Sequence, residues 1–311
     1  MAKSHLIWST LLGEREYECA FAPATALSWQ PQKSRILVSG YMADIENCPV
    51  PSDPGPTLWL VDKDGQVENI KEVLGCRNIA WSNEGRRFAS SLPLAIHELG
   101  DEPGMANKPG KAAMGAELLQ FVPTPFPEGK ECGTNFICWS PDDEYIAAND
   151  GSNIHIFAVK SKKLVVTKKY GQKKNPVSAS WSASGLLYVA WSSGFLVGLD
   201  MQGQEKVRIN DEEICGLIVA SPDGMHLAQL VDGGRAICVR ATASPCNCAD
   251  SKAVPKILRG HSKTITDCCW SPCSKFLATS SFDGTLRIWR LRDGAEVMKT
   301  HPDECRLPHK I

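Results

Sequence analysis

The sequence predicts an all-β fold built from repeated four-stranded antiparallel sheets. Three observations carry this. A Trp-Ser-Pro-like tripeptide recurs along the chain; a short turn and a second apolar run follow each copy; a third, alternating or apolar run follows that. Alternation over about five residues marks a half-buried strand and not a helix.

The copies read Trp29-Gln30-Pro31, Trp81-Ser82-Asn83, Trp139-Ser140-Pro141, Trp181-Ser182-Ala183, Ala220-Ser221-Pro222 and Trp270-Ser271-Pro272. Successive spacings are 52, 58, 42, 39 and 50 residues. Second strands are expected at Arg35–Gly40, Arg87–Leu92, Tyr145–Ala148, Leu186–Ala190, His226–Leu230 and Phe276–Ser280. Third strands are expected at Thr57–Val61, Glu117–Val122, Asn153–Phe157, Phe195–Leu199, Arg235–Val239 and Thr285–Trp289. The turns before several of these carry Asp-Gly or Ser-Gly, where glycine supplies a positive φ at low steric cost. Leu164–Thr167 and Glu205–Ile209 exemplify fourth strands. The units fall near residues 22–75, 76–132, 133–173, 174–211, 212–258 and 259–300 of one domain, 1–311. One such sheet cannot bury both faces, whereas several packed face to face around an axis can. That is the physical case for a β-propeller.

A half-unit precedes the repeats. His5–Leu11 reads as a third strand with its own Ile7-Trp8, and Tyr17–Phe21 reads as a fourth. Its likeness to Leu286–Val297 makes residues 4–21 a candidate closing segment. The expectation is seven blades, six evident repeats plus this N-terminal half-unit.

The last unit, LRGHSKTITDCCWSPCSKFLATSSFDGTLRIWRL, resembles a WD40 repeat through Gly260-His261, Trp270-Ser271-Pro272, Ser281, Asp283-Gly284 and Ile288-Trp289. The resemblance implies a hydrogen-bonded tetrad of His261, Ser281, Asp283 and Trp289, whose groups can satisfy one another where water is scarce. Arg290 stands where the family usually has Asp after the Trp. The other units keep the tripeptide and strand pattern but lack the Gly-His pair.

Two units are stretched. The segments at 41–56 and 93–115 read as insertions between second and third strands, and ATASPCNCADSKAVP (241–255) precedes the last repeat. Under the resemblance all three share one face of the disc, and loops on a rigid scaffold commonly carry function. The opposing account is that they are tolerated insertions, since loop length costs little entropy.

Composition narrows the function classes. Lys and Arg number 34 against 35 Asp and Glu, which argues against a dominant non-specific pull toward nucleic acid or anionic membrane. No apolar run reaches the roughly 18 residues that suggest a membrane span, and the N-terminus makes a poor signal peptide. Thirteen cysteines, an odd number, with no Asn-x-Ser/Thr acceptor, fit a reducing compartment, cytoplasmic or nuclear. No nucleotide, metal or cofactor site is expected. Gly104–Ala112 has the wrong spacing for a P-loop and ends on Ala112, which has no hydroxyl for magnesium. Cys246, Cys248, Cys268, Cys269 and Cys273 fit no zinc spacing, and the pair on the first strand reads as core filler. The histidines are dispersed, and no catalytic elbow or zincin motif is present.

One charge run remains. Lys160, Lys162, Lys163, Lys168, Lys169, Lys173 and Lys174 surround Tyr170. They form either a basic surface for an anionic partner or a solvated edge hairpin whose lysines discourage strand pairing. The leading expectation is a non-enzymatic scaffold that binds other proteins through loops on one propeller face, with no membrane insertion. Two alternatives stand beside it: nucleic-acid or anionic-lipid binding through the lysine hairpin, and a substrate receptor of a cullin-RING ubiquitin ligase. Members with that last role resemble one another in a Trp-Asp-x-Arg stretch, here Trp289-Arg290-Leu291-Arg292.

Overall fold

The computed structural model describes residues 24–31, 35–40, 58–62, 67–69, 78–91, 94–98, 119–120, 136–170, 175–210, 216–242 and 255–300. They form six four-stranded antiparallel sheets, each pairing its strands in chain order. Sheet 1 holds β1 (Ala24–Trp29), β2 (Arg35–Gly40), β3 (Leu58–Asp62) and β4 (Val67–Asn69). Sheet 2 holds β5 (Ile79–Trp81), β6 (Arg87–Ser91), β7 (Leu94–Glu98) and β8 (Leu119–Gln120). Sheet 3 holds β9 (Ile137–Trp139), β10 (Tyr145–Asn149), β11 (Asn153–Ala158) and β12 (Lys163–Lys169). Sheet 4 holds β13 (Pro176–Trp181), β14 (Leu187–Trp191), β15 (Phe195–Leu199) and β16 (Glu205–Asn210). Sheet 5 holds β17 (Ile218–Ala220), β18 (His226–Val231), β19 (Ala236–Ala241) and β20 (Lys256–Arg259). Sheet 6 holds β21 (Ile265–Trp270), β22 (Phe276–Ser281), β23 (Leu286–Arg290) and β24 (Ala295–Thr300).

The first strand of each sheet adjoins the first strand of the next, from β1 through β5, β9, β13 and β17 to β21. Apolar cores lie between consecutive sheets. Leu37, Leu58 and Leu60 of sheet 1 meet Trp81 and Phe88 of sheet 2. Ala89 and Ile96 of sheet 2 meet Ile146 and Phe157 of sheet 3. The same relation joins sheets 3 and 4, 4 and 5, and 5 and 6. This is the architecture of a WD40-like β-propeller. Successive side chains of a strand point to opposite faces, and here the two faces serve two different neighbouring sheets.

The recurring tryptophan fastens three of the described sheets to the one before. Trp81 Nε1 donates to Ser28 O at 3.1 Å, Trp139 Nε1 to Ala80 O at 2.9 Å, and Trp270 Nε1 to Val219 O at 3.0 Å. Each acceptor is the residue just before the tripeptide in the preceding sheet. Ala220 brings no indole, and there Ala220 N donates to Ser180 Oγ at 3.0 Å instead. Trp181 Nε1 is buried without an acceptor.

The tripeptide serine explains the turn. Its hydroxyl accepts the amide that opens the second strand, from Arg87, Tyr145, Leu186, His226 or Phe276, at 2.9–3.3 Å. Three residues past each serine the backbone is left-handed, at Gly85, Asp143, Gly185, Gly224 and Ser274. Where that residue is not glycine, its side chain clasps the previous sheet's turn. The Asp143 carboxylate accepts from Asn83 N at 2.7 Å and Glu84 N at 2.8 Å, and Ser274 Oγ accepts from Asp223 N at 3.0 Å. These first-to-second strand turns therefore share one rim.

The structure corrects the second unit. Its third strand is β7, not Glu117–Val122; Ser91 pairs with Leu94 across two intervening residues. Leu94, Ala95, Ile96 and His97 are all buried, so the run does not alternate and reads as loop, whereas 117–122 alternates. The third-strand site expected at 117–122 holds the short fourth strand β8. The long segment 99–118 thus joins a third to a fourth strand, as does 243–254 between β19 and β20. Only 41–57 joins a second to a third strand. Third-to-fourth connections leave from the Ser-Pro rim, and second-to-third connections from the opposite one. The three long segments therefore do not share a face. They lie outside the described residues, as does the expected closing segment 4–21.

Candidate functional site

The last sheet carries a buried polar chain. His261 Nδ1 meets Asp283 Oδ2 at 2.9 Å, His261 Nε2 meets Thr279 Oγ1 at 2.7 Å, and Trp289 Nε1 donates to Thr279 Oγ1 at 2.9 Å. Three of the four residues expected from sequence are brought together, but the hydroxyl between them is Thr279, not Ser281. Ser281 is engaged at the end of the strand instead. Its Oγ donates to Lys263 O and Thr264 O and accepts from Asp283 N, tying the turn to the preceding loop. The two hydroxyls have the same strand parity and differ in position: Thr279 lies mid-strand opposite Cys268 and Arg287, whereas Ser281 ends β22, where the pairing with β21 shifts register.

Around this chain, Arg287 Nη1 donates to Glu296 Oε2 at 2.7 Å and its Nη2 lies 3.8 Å from Asp283 Oδ2. A Cβ on Gly260 would press into Arg287 and lie 3.0 Å from Trp289, which is why glycine precedes His261. Burial alone would raise the Asp283 pKa; hydrogen bonds from Thr285, His261 and the amides of Ser262 and Thr285 outweigh it and hold the carboxyl well below its usual range.

Register reveals reduced versions elsewhere. Trp289 pairs with Leu277, two residues before Thr279. At the matching positions sheet 2 has His97 and Ser90, with Nε2 2.9 Å from Oγ. Burial pushes His97 down to about 4, so it stays neutral, and it stacks on Phe88 with centroids 4.6 Å apart. Sheet 5 has Arg240 and Gln229, whose Oε1 accepts from Arg240 Nε and Nη2 at 3.1 and 3.2 Å in the amide orientation its neighbours require. Sequence reading missed both pairs because His and Arg do not look like Trp. Counting seven and nine residues on from the tripeptide would have found the strand positions.

Above this framework lies an exposed patch that the sequence did not single out. The turn after β22 presents Phe282, 70% exposed. Its amide donates to Thr264 O at 2.9 Å. Thr264 in turn packs against the turn after β18, where a Cβ on Gly234 would lie 2.8 Å from Thr264 Cγ2. In that turn Asp232 pairs with Arg259 and, at 3.6 Å, with Arg235. Both arginine side chains are more than half exposed. Phe282, Arg235, Arg259 and Lys263 thus gather on the second-to-third strand rim where sheets 5 and 6 meet.

The lysine run lies elsewhere. Lys160 and Lys162 sit in the β11–β12 turn, and Lys163, Lys168 and Lys169 on the outermost strand β12. Lys173 and Lys174 lie outside the described residues. Lys168 sits over the Tyr170 ring at 5.7 Å, with Arg208 at 5.3 Å. Tyr170 donates to Glu205 Oε2 at 2.8 Å, and Glu205 also binds Arg208. Part of the positive charge is therefore spent holding sheets 3 and 4 together. Arg290 is paired with Asp293 at 2.8 Å, while Arg292 is 76% exposed. Of the cysteines, burial pushes Cys138 up to about 12, and Cys268 is buried; Cys269 is exposed and so is no core filler. Among the described residues no three metal-ligating side chains cluster, and no helix is long and apolar enough to cross a membrane.

Comparisons with known proteins agree with this architecture. The family described as "WD domain, G-beta repeat" matches residues 253–290, the unit that holds His261 and Trp289. The Set1 complex component swd1 of Schizosaccharomyces pombe is 40% identical over 97 residues, 29% of this chain and 22% of that protein. The probable cytosolic iron-sulfur protein assembly protein Ciao1 of Culex quinquefasciatus is 54% identical over 43 residues, 13% of each chain. The Denticleless protein homolog of Mus musculus is 52% identical over 44 residues, 14% of this chain and 6% of that one. The matched stretches thus span about a fifth or less of these relatives. The family match thus shows a WD40 repeat at residues 253–290, and the stacked sheets with their shared tripeptide turn have the architecture of a WD40-like β-propeller.

Proposed function

We propose that this chain is a non-enzymatic scaffold that assembles protein complexes, acting in the cytoplasm or nucleus. One observation carries the reading: the rim presents Phe282, 70% exposed, on the same edge as the half-exposed Arg235 and Arg259. Exposed aromatic and arginine side chains are the residues that anchor protein interfaces, and a buried hydrogen-bonded framework holds them in place without an ordering cost. Two of the similar proteins are described as a complex component and an assembly protein, which fits. His97, His155 and His261 are buried and committed to hydrogen bonds within their sheets, so none is presented to a substrate. The test is quantitative affinity capture with the parent chain, Phe282→Ala with Arg235→Ala, and Met225→Ala on the opposite rim. Loss of the same partners only in the first variant supports the rim. Identical partner sets in all three refute it.

A second reading rests on Lys160, Lys162, Lys163 and Lys169, which are exposed along one sheet edge. An anionic polymer or lipid headgroup bound there dissociates steeply with added salt. Binding that ignores both salt and lysine-to-glutamate changes removes this reading. The ubiquitin-ligase receptor reading has less behind it, since Arg290 pairs with Asp293 where the resembling stretch has Asp.

A further inference from the structure

Charge and apolar surface coincide at one outer edge. No Asp or Glu occurs between Asp150 and Asp200, whereas Lys160, Lys162, Lys163, Lys168 and Lys169 fall close together. The acids that follow are engaged: Asp200 pairs with Lys206, and Glu205 with Tyr170 and Arg208. Lys160, Lys162, Lys163 and Lys169 are exposed and have no ion-pair partner among the described residues. A chain of balanced overall charge thus carries a one-sided positive edge.

Between those lysines lies an apolar pair. β12 is bulged against β11: Leu164 pairs with Phe157 and Val166 with Ile156, which leaves Val165 as the extra residue. A bulge of this kind disrupts the ladder and bends the strand locally. Val166 still packs in the core between sheets 3 and 4 and against Gly203, but Leu164 and Val165 both stand out, 41% and 49% exposed. The outermost strand of the next sheet keeps the ordinary pattern: β16 alternates and exposes Lys206, Arg208 and Asn210, all polar.

We propose that this edge docks on the surface of an anionic lipid bilayer, with the lysines at headgroup level and Leu164 and Val165 at the acyl boundary. The inference rests on the basic-surface reading above and narrows it to one occupant. Side-chain chemistry decides between occupants. Protein interfaces are depleted in Lys, and their anchors are Trp, Tyr and Arg with Leu and Val under-represented. The Phe282 rim fits that description and this edge does not. Duplex nucleic acid draws its affinity from phosphates and gains nothing from two exposed aliphatics. A single strand needs an aromatic face to stack on, and the Tyr170 ring is flanked by Lys168 and Arg208 with its hydroxyl on Glu205. A bilayer surface uses both features. Lysine stems lie along apolar surface while the ammonium groups stay in the polar layer, and interfacial binding sums buried apolar area and attraction to anionic lipid.

The test is co-sedimentation of the full chain with vesicles of phosphatidylcholine, alone or with about 30% phosphatidylserine to give a negative surface potential. The expected result is binding to the anionic vesicles alone, released as salt rises from about 0.1 M to about 1 M and the screening length falls from about 10 Å to about 3 Å. Both are read on the parent chain, so they stand whether or not a variant folds. Each lysine near such a surface is worth about fivefold in affinity, so Lys160→Glu with Lys163→Glu weakens binding by at least about twenty-five-fold. Leu164→Ser with Val165→Ser weakens it by at least about fivefold at low salt, with the melting midpoint unchanged because both side chains are exposed. Failure to sediment with the anionic vesicles overturns the proposal. So does undiminished binding by the Leu164→Ser, Val165→Ser variant, which leaves only a charged surface. Labelled duplex DNA and poly-glutamate, run against the same variants, separate this failure from that of the underlying reading. Lysine-dependent DNA binding without vesicle binding keeps the basic surface and refutes the bilayer. Binding of poly-glutamate alone assigns the edge to an acidic protein segment and refutes it equally. No binding to vesicles, DNA or poly-glutamate removes both.

Discussion

Thr279→Val tests the buried polar chain of the last sheet at its centre. Valine keeps the shape and removes the one hydroxyl that meets both His261 Nε2 and Trp289 Nε1. Thr279 is 1% exposed, so water cannot take its place. Each orphaned buried group costs about 1–3 kcal/mol, so losing both partners costs about 2–5 kcal/mol. At 2–4 °C per kcal/mol for chains of about this size, the melting midpoint falls by roughly 5–15 °C. Ser281→Ala is the control. It loses only bonds at an exposed turn, which costs about 0.5–1.5 kcal/mol. Thermal and urea unfolding of the parent and both variants decide between them. A Ser281→Ala loss equal to or larger than that of Thr279→Val refutes Thr279 as the centre of the network.

Further outcomes follow from the same geometry. Asp283→Asn lowers the unfolding midpoint at neutral pH. Because the folded-state pKa of Asp283 is depressed, its contribution is present above the unfolded value near pH 4 and is lost as pH falls toward the folded one. The gap between parent and variant therefore narrows below about pH 4 in a pH series of melts. Trp139→Phe forfeits the bond to Ala80 O and costs about 1 kcal/mol, whereas Trp181→Phe removes an indole N–H that has no acceptor and is neutral or stabilising. Gly85→Ala forces a Cβ to within 2.7 Å of Pro31 O at φ +72°, while Gly185→Ala at φ +80° meets nothing closer than 3.8 Å. Both variants carry backbone strain of roughly 1 kcal/mol, and only the first adds a clash, so denaturant midpoints rank Gly85→Ala clearly lower.

Most of the fold was legible in the sequence because the repeating residues do local work. Each tripeptide serine caps its own turn, and Trp81, Trp139 and Trp270 reach the carbonyl one sheet back, so the pattern survives where the Gly-His pair does not. The second unit misled for a physical reason. A strand buried on both faces loses its alternation, so Leu94–Glu98 reads as insertion and the alternating 117–122 reads as strand. The choice of Ser281 over Thr279 came from position in a family motif, whereas distance from the strand end decides which hydroxyl meets the histidine: Thr279 is mid-strand, and Ser281 at the end of β22 bonds the 263–264 carbonyls. The Phe282 patch was illegible because exposure belongs to the assembled rim. Nothing local in Ser281-Phe282-Asp283 announces that the ring stands free beside two arginines from a different sheet.

The most direct measurement is the affinity of one purified partner, recovered by the rim comparison, for the parent chain and for Phe282→Ala. Truncating an interface anchor costs more than about 1 kcal/mol, which is at least fivefold in Kd. The account predicts that loss with an unchanged melting midpoint, since an exposed side chain contributes little to stability. Equal Kd values for the two chains, with both fully folded, contradict the claim that this rim is where the scaffold binds.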